Sequence, residues 1–441
     1  MLRKRIEIKH LTRVEGHGGI TIELVDGTVK TVHMDILEGT RFYEALLKGK
    51  GFLEAAAIVS RVCGICSASH AVTAQLAVED AFGIRVDSRT VRLRELLLLG
   101  EIMESHALHL FFLLLPDYMG YPSALDMARD HPIKAKMGLF LKQLGNRIQE
   151  AVGGRAIHPP NVMVGRFGKV PGRQVLSDLL ACVEDGLALT PALVDLFASL
   201  EVPVLLEEAT QYLALSSRDG YRFVSREIAA TDGKVFQASE FSRVCNERVV
   251  AHSHAKQSLY SDRPFAVGAQ SRVVVNGGEL TGAAAEALER FVSAQGGMGR
   301  GNPISNSMAQ AVELVHALQA AKEHLVDILT NGAGDAPPET VIEPVKGTGI
   351  GLTEAPRGIL YHRYDFDDNG IITEADIITP TAQNLANIER DMRLVAERFG
   401  EISADGVVLS PAMGCLANRD LSFVLQVIAR AYDPCISCSV H

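Results

Sequence analysis

The chain opens on strict alternation and then changes period. Gly19-Ile-Thr-Ile-Glu-Leu-Val25 puts an apolar side chain at every second position, Asp26-Gly27 is a hairpin turn signal, and Val29 to Ile36 alternates again. Residues 1–40 are therefore expected as a β region. From Glu44 the apolar positions recur at helical spacing. Helices are expected over Glu44–Val62, Ser67–Phe82, Thr90–Leu115, Ile133–Val152 and Gln174–Leu200, which makes 44–200 a helical region. Further helices are expected over Thr281–Ala294, Ser305–Thr330, Thr381–Phe399 and a short Leu421–Ala431. Residues 201–380 read as mixed, with β pieces at Arg222–Phe236 around Asp232-Gly233 and at Gly358–Ile378 around Asn369-Gly370. Gly332–Pro338 is the most linker-like stretch, and its shortness makes it an excursion loop.

Composition narrows the class. The chain has 441 residues, 47% hydrophobic and 22% charged, which fits a globular protein with a large core. A net charge of -10 without a long basic run argues against nucleic acid as a partner. The N-terminal MLRKRIEIKH leads into alternation instead of an apolar run, so it does not read as a secretory signal. The most apolar stretch, Leu96 to Leu115, contains Glu101, Glu104, His106 and His109. Acids are costly in hydrocarbon, so a core helix is expected there and no membrane span.

Two motifs carry chemistry: Arg61-Val-Cys-Gly-Ile-Cys-Ser-Ala-Ser-His70 and Asp433-Pro-Cys-Ile-Ser-Cys-Ser-Val-His441. Each is a Cys-x-x-Cys pair with a histidine shortly after it, and the first cysteines of the pairs stand 372 residues apart. Four thiolates suit zinc, an iron–sulfur cluster, nickel or copper(I). Spacing alone leaves zinc ahead, then an iron–sulfur cluster or another soft metal, with a redox dithiol last. Structural zinc, however, staples short modules whose pairs lie about 15–20 residues apart.

Further stretches accompany these motifs in order: Thr12-Arg-Val-Glu-Gly16, Arg41-Phe-Tyr-Glu44, Glu104-Ser-His-Ala-Leu-His109, Gly154-Arg-Ala-Ile-His158, Glu354-Ala-Pro-Arg-Gly358 and Asp376-Ile-Ile-Thr-Pro-Thr381. On this set the chain resembles the [NiFe] hydrogenase large subunit along its full length, and within that family the cytoplasmic NAD(P)-linked multimeric group. The resemblance implies a mainly α (α+β) fold, with a central long-helix bundle, small peripheral β-hairpins and sheets, and residues 1–441 as one integrated domain. It also implies the activity, reversible H2 ⇌ 2H+ + 2e−.

The site residues follow by resemblance. Cys63 and Cys435 match terminal nickel thiolates, and Cys66 and Cys438 match those bridging nickel to an iron that carries CO and two cyanides. Cys435 matches the thiolate that takes the proton, Glu15 the acid that relays it, and Arg357 the arginine above the open metal position. Pro356 and Thr381 match positions around the cyanides, Asp433 the acid beside the arginine, and His70 a histidine near a bridging cysteine. Glu44 and His441 match ligands of a Mg2+-type (or Fe2+) ion. The arginine's other acidic partner in membrane-bound members aligns with Ser105, so one negative charge is missing here.

Partners are implied in the same way. The chain shows no dinucleotide fingerprint and no cysteines for a further cluster, so no Fe–S cluster, flavin or nucleotide is expected within it. Electrons are expected to leave through a small Fe–S subunit toward flavin, NAD(P)-binding and Fe–S electron-transfer subunits. A heterodisulfide-reductase-linked or deazaflavin-linked assembly is the alternative. A non-catalytic relative of a complex I subunit is disfavoured by the retained cysteines, Glu15 and Arg357. Family precursors lose a segment after the final histidine to a maturation protease, with nickel chaperones assisting, and a chain stopping at His441 resembles either the processed form or a natural truncation that bypasses processing.

Other signals receive plainer readings. Asp365-Phe-Asp-Asp-Asn-Gly370 begins like a calcium loop, but its flanks read as strands and a hairpin turn is expected. Gly347-x-Gly349-x-Gly351 lacks the G-x-G-x-x-G spacing and reads as a loop. His252-x-His254 is expected as a satisfied polar pair and His106 with His109 as core histidines. Cys182, Cys245 and Cys415 are expected as isolated buried thiols.

Overall fold

The computed structural model describes residues 3–26, 28–201, 203–216, 220–295, 301–331, 342–403, 406–409, 416 and 419–441. Gly332–Pro338, Cys415 and the glycine of the Asp26-Gly27 turn lie outside them.

The alternating N-terminus forms an antiparallel sheet of β1 (Arg3–Ile8), β2 (Gly18–Val25) and β3 (Thr28–Ile36). The helical region follows with α1 (Ser67–Phe82), α2 (Ser88–Leu108), α3 (Pro132–Gly153), α4 (Arg173–Ala188) and α5 (Thr190–Ala198). In the second half come α6 (Gly282–Gln295) and α7 (Ser305–Asn331). The antiparallel sheet β4 (Gly347–Ala355), β5 (Gly358–Phe366) and β6 (Ile372–Ile378) is next, then α8 (Pro380–Phe399) and α9 (Leu421–Ala431).

The long helices α2, α3, α4 and α7 pack on one another around one large apolar core. A Cβ on Gly145 of α3 would lie 2.4 Å from the Gly100 carbonyl of α2, so these helices cross closely enough that only glycine fits. The unit Ser88–Tyr118 is long and apolar enough to cross a membrane, yet 83% of its apolar window is buried inside the fold. It is the central core helix that its acids suggested.

Three expectations change. Glu44–Val62 is not one helix: Gly49, with φ +81°, and Gly51 break it into short pieces, Tyr43–Leu47, Phe52–Glu54, Ala55–Val59 and Ser60–Val62. Gln174–Leu200 breaks at Leu189, because Pro191 has no N–H to continue the ladder and instead opens α5. Gly347-x-Gly349-x-Gly351 is strand β4, not a loop. Its glycines face α1, where a Cβ would come within 1.9 Å of the Ala77 carbonyl at Gly349 and 2.0 Å of the Thr73 carbonyl at Gly351. The motif thus lets a strand lie directly on the helix that follows the first cysteine pair. Thr90–Leu115 is helical throughout, as expected, with α2 widening into a π-helical turn over His109–Leu114, a distortion that recurs at functional sites.

Candidate metal centre

The first cysteine pair is held by helix geometry. Cys63 follows the turn Ser60–Val62 in extended conformation, and Cys66 stands at the N-cap of α1. The Cys66 sulfur makes no capping hydrogen bond. Its place is taken by Glu101 of α2, which accepts from the Ala68 N–H at 2.7 Å, the Ser69 N–H at 3.1 Å and the Ser69 hydroxyl. The orphan N–H groups of the first turn are satisfied while the thiol stays available. Burial pushes the Glu101 carboxyl up to about 8.

The second pair is held from outside. Asp433 turns the chain with φ 51°, and Cys438 sits on a helix of only 4 residues, Ile436–Ser439. The Ile436 N–H donates to the Glu15 carbonyl at 2.9 Å, giving a parallel bridge between Glu15 and Cys435. The Cys435 N–H donates to Thr381 Oγ1 at 3.0 Å. Arg41 donates to the carbonyls of Val62, at 2.6 Å, and Ser437, tying one motif to the other.

The four sulfurs converge in the buried interior. Cys63 Sγ lies 3.2 Å from Cys435 Sγ, and Cys438 Sγ lies 3.0 Å from both Cys66 Sγ and Cys435 Sγ. Four thiols this close cannot all ionise by themselves. The hydrogen bond from Cys435 holds Cys63 well below the usual thiol range, while that same neighbour holds Cys66 well above it. Burial pushes Cys438 well up and Cys435 to about 11. A soft cation removes the mutual repulsion, and thiolate donors suit nickel and iron.

Two charged groups complete the centre. The Cys435 thiol donates to Glu15 Oε2 at 3.0 Å, and that carboxylate also receives the Ser437 N–H at 3.1 Å and the Ser437 hydroxyl. Arg357 donates from Nε to the Asp433 carbonyl at 2.7 Å and from Nη2 to Asp433 Oδ1 at 2.9 Å. Its Nη1 is buried with no partner among the described residues. Despite burial, nearby Asp433 and the cysteines hold the Arg357 guanidinium cationic.

The chain matches a family model for nickel-dependent hydrogenase over residues 41–150 and 227–441, and a HoxL-like model over residues 5–38. It is 40% identical over 439 residues to the sulfhydrogenase 1 subunit alpha of Pyrococcus furiosus, spanning 99% of this chain and 97% of that one. The chain belongs to the nickel-dependent hydrogenase large-subunit family. Sulfhydrogenase 2 subunit alpha of the same organism is 36% identical, over 99% of this chain and 98% of that one. A crystal structure of an NAD+-reducing [NiFe]-hydrogenase in the H2-reduced state superposes with TM-score 0.85 at 27% identity, covering 99% of both chains. The mainly helical hydrogenase large-subunit fold and the role of catalytic, H2-cleaving subunit are thereby shown.

Of the remaining expected residues in this hydrogenase subunit, His70, Pro356 and His441 are buried and Glu44 is half-buried. Pro356 is buried, its carbonyl taken by Arg272 Nη2 at 3.0 Å. His70 Nε2 lies 3.9 Å from Cys438 Sγ. His441 is buried, with Nε2 2.6 Å from the Ile377 carbonyl and 3.9 Å from Glu44 Oε1. Glu44, Glu247 and His441 form a second group able to hold an ion, beside Lys256, whose Nζ lies 2.7 Å from Glu247. Glu247 Oε1 is buried without a partner among the described residues, which fits an ion at that position. Ser105 Oγ is likewise buried and unpartnered.

Sequence reasoning missed Glu247, Glu101 and Gln310, whose Nε2 donates to Asp433 Oδ2 at 3.1 Å. No spacing signal links them to the motifs. Among the described residues seven non-glycine residues have positive φ, and four of them, Arg13, Phe42, His158 and Asp433, fall in the ordered motifs. His106 and His109 are buried as expected, bonded to Glu313 and Gln310. His252 pairs with Glu389 and His254 with the Glu38 carbonyl. Asp365-Phe-Asp-Asp-Asn-Gly370 closes the β5–β6 hairpin, with Asp367 accepting from the Asn369 and Ile371 N–H groups. Cys245 is buried, whereas Cys182 is only half-buried beside Arg147.

Proposed function

We propose that Cys63, Cys66, Cys435 and Cys438 would together hold a nickel–iron centre through their four sulfurs. The contact of the Cys435 thiol with Glu15 Oε2, 3.0 Å, inside the four-sulfur cluster carries this reading. When bound, that centre with its CO and two cyanides polarises H2 and takes up its electrons. Cys435 receives the proton, and Glu15 takes it onward over a distance suited to direct transfer. Two donors from Ser437 keep the Glu15 carboxylate aimed at the sulfur. Asp433 fixes Arg357 on two of its nitrogens and leaves the buried Nη1 as a preorganised positive group that would polarise H2 at the bound centre. Thr381, having accepted from the Cys435 N–H, keeps its own hydrogen free to donate to an anionic ligand of the bound centre. Glu44, Glu247 and His441 hold Mg2+ or Fe2+, a set of oxygen donors with one imidazole.

In this reading electrons leave beside the first motif. Leu37, Phe42, Leu46 and Leu53 are more than half exposed, and Arg41 and Tyr43 in the same stretch bond to the carbonyls of Val62 and Arg61. This apolar face fits a small Fe–S subunit. The likeness to an NAD+-reducing structure and to sulfhydrogenase subunits supports an NAD(P)-linked cytoplasmic complex with flavin-bearing partners. The same reading takes residues 1–441 as one integrated domain. The test is metal analysis and infrared spectroscopy of the purified complex, with and without H2. One CO and two cyanide bands that shift under H2, with stoichiometric nickel, are expected. Zinc in place of nickel with no such bands in a fully matured sample overturns the assignment.

A further inference from the structure

Behind His70 the structure places two polar side chains that none of the steps above uses. His70 Nδ1 lies 3.1 Å from His362 Nε2, and His362 Nδ1 lies 2.7 Å from the Tyr364 hydroxyl. His70 comes from the first turn of α1, while His362 and Tyr364 are alternate residues on one face of β5, the strand that begins just after Arg357. All three side chains are fully buried. We propose that Tyr364, His362 and His70 form a one-way hydrogen-bond relay ending on the Cys438 sulfur, making His362 and Tyr364 positioning residues that set the electron density of that thiolate.

The polarity of the relay follows from counting hydrogens. Both rings are buried and neither is hydrogen-bonded to a carboxylate among the described residues, so each is read as a neutral imidazole with one donor and one acceptor nitrogen. Cys438, read above as a metal thiolate, can only accept. His70 therefore carries its hydrogen on Nε2 and accepts on Nδ1. His362 in turn carries its hydrogen on Nε2 and accepts on Nδ1, and Tyr364 donates. The opposite direction would need a hydrogen on the sulfur and would leave the phenol O–H pointing at nothing. Among the described residues the Tyr364 hydroxyl has His362 as its one partner, and an unmade buried hydrogen bond is costly. The relay also ends there, with the Tyr364 ring packed against Phe366, 6.2 Å between centroids. A wire with no solvent end moves polarisation, not protons. Each donor strengthens the next, and outer hydrogen bonds tune what a ligand gives its metal.

This inference rests on Cys438 being a metal ligand, and its test separates the two. Tyr364→Phe in the purified holoenzyme complex removes one hydroxyl and keeps the ring. The thiolate becomes more electron-rich, so the CO band is expected to move to lower wavenumber at unchanged nickel and iron content. His362→Leu is expected to move it further in the same direction. His362→Gln, which can offer an N–H to His70 and a carbonyl to Tyr364, is expected to bring it back toward the wild-type position. Bands unmoved in both Tyr364→Phe and His362→Leu overturn the relay. Equal shifts for His362→Leu and His362→Gln also overturn it, since they would show that packing alone matters. A wild-type complex without CO bands instead removes the metal assignment beneath it.

Discussion

Cys66 stands at the head of a 16-residue helix whose first turn is capped by Glu101, whereas Cys435 precedes and Cys438 stands on a 4-residue helix reached through a left-handed aspartate. In sequence the two motifs are near twins. The first is placed by its own secondary structure, because a long helix fixes the direction of every side chain it carries. A helix of one turn has no such rigidity, and ordering each of its residues costs roughly 1–2 kcal/mol. The second motif is therefore placed by partners far away in the chain: Glu15, Arg41, Arg357 and Thr381. One half of the centre is local structure, and the other is tertiary structure.

The sharpest way to break this contrast is at Glu15, which serves the second motif twice, by its backbone and by its carboxylate. Glu15→Gln keeps the backbone bridge to Ile436 and an acceptor for the Ser437 N–H, but cannot carry a proton. H2 oxidation is expected to fall by about 10²–10⁴ with nickel content unchanged. Activity within tenfold of wild type would mean that the proton leaves Cys435 by another route.

The first half is tested through its packing. In Gly351→Ala the new Cβ would lie 2.0 Å from the Thr73 carbonyl, a backbone atom of α1 that no rotamer change can move aside. A loss of about 1–3 kcal/mol is expected, read as a lower Tm. An unchanged Tm would show that β4 and α1 can separate freely, and that the first pair is not held by a rigid frame.

The smallest effect concerns the anchor just before Asp433. The Tyr432 hydroxyl donates to buried Asp391 at 2.6 Å, and burial pushes that carboxyl up to about 7 from a usual 3.8. The folded state thus binds this proton more tightly than the unfolded chain. Its stabilising contribution is complete below about pH 4 and is lost as the pH rises through about 7. Asp391→Asn is expected to flatten the dependence of Tm on pH across that window, and an identical slope in both proteins would rule out this group as its source.

The contrast also explains what could be read from the sequence. Ser67–Phe82 and Leu421–Ala431 appear over the expected residues because periodicity and capping are local signals. The broken Glu44–Val62 segment was misread because its apolar residues keep helical spacing through glycines that end the helix. The glycines of β4 carry no loop signal or strand signal of their own, and their meaning lies in the helix they touch. At the site, the ordered motifs named the cysteines, Glu15 and Arg357. Glu247, Gln310 and Glu101 stayed hidden, since each reaches the centre across a gap that only folding closes.

The parallel bridge between Glu15 and Cys435 joins residues 420 positions apart. At about 5–20 residues per second, a ribosome that has made Glu15 needs roughly 20–80 s more before Cys435 exists. On the proposed reading, for all that time the proton acceptor is present without its donor, and Cys63 and Cys66 form half of a nest. A metal delivered early would meet two sulfurs instead of four. In that reading, the geometry forbids a complete centre until the last residues of the chain have been made, so its birth is a late event in the life of each molecule.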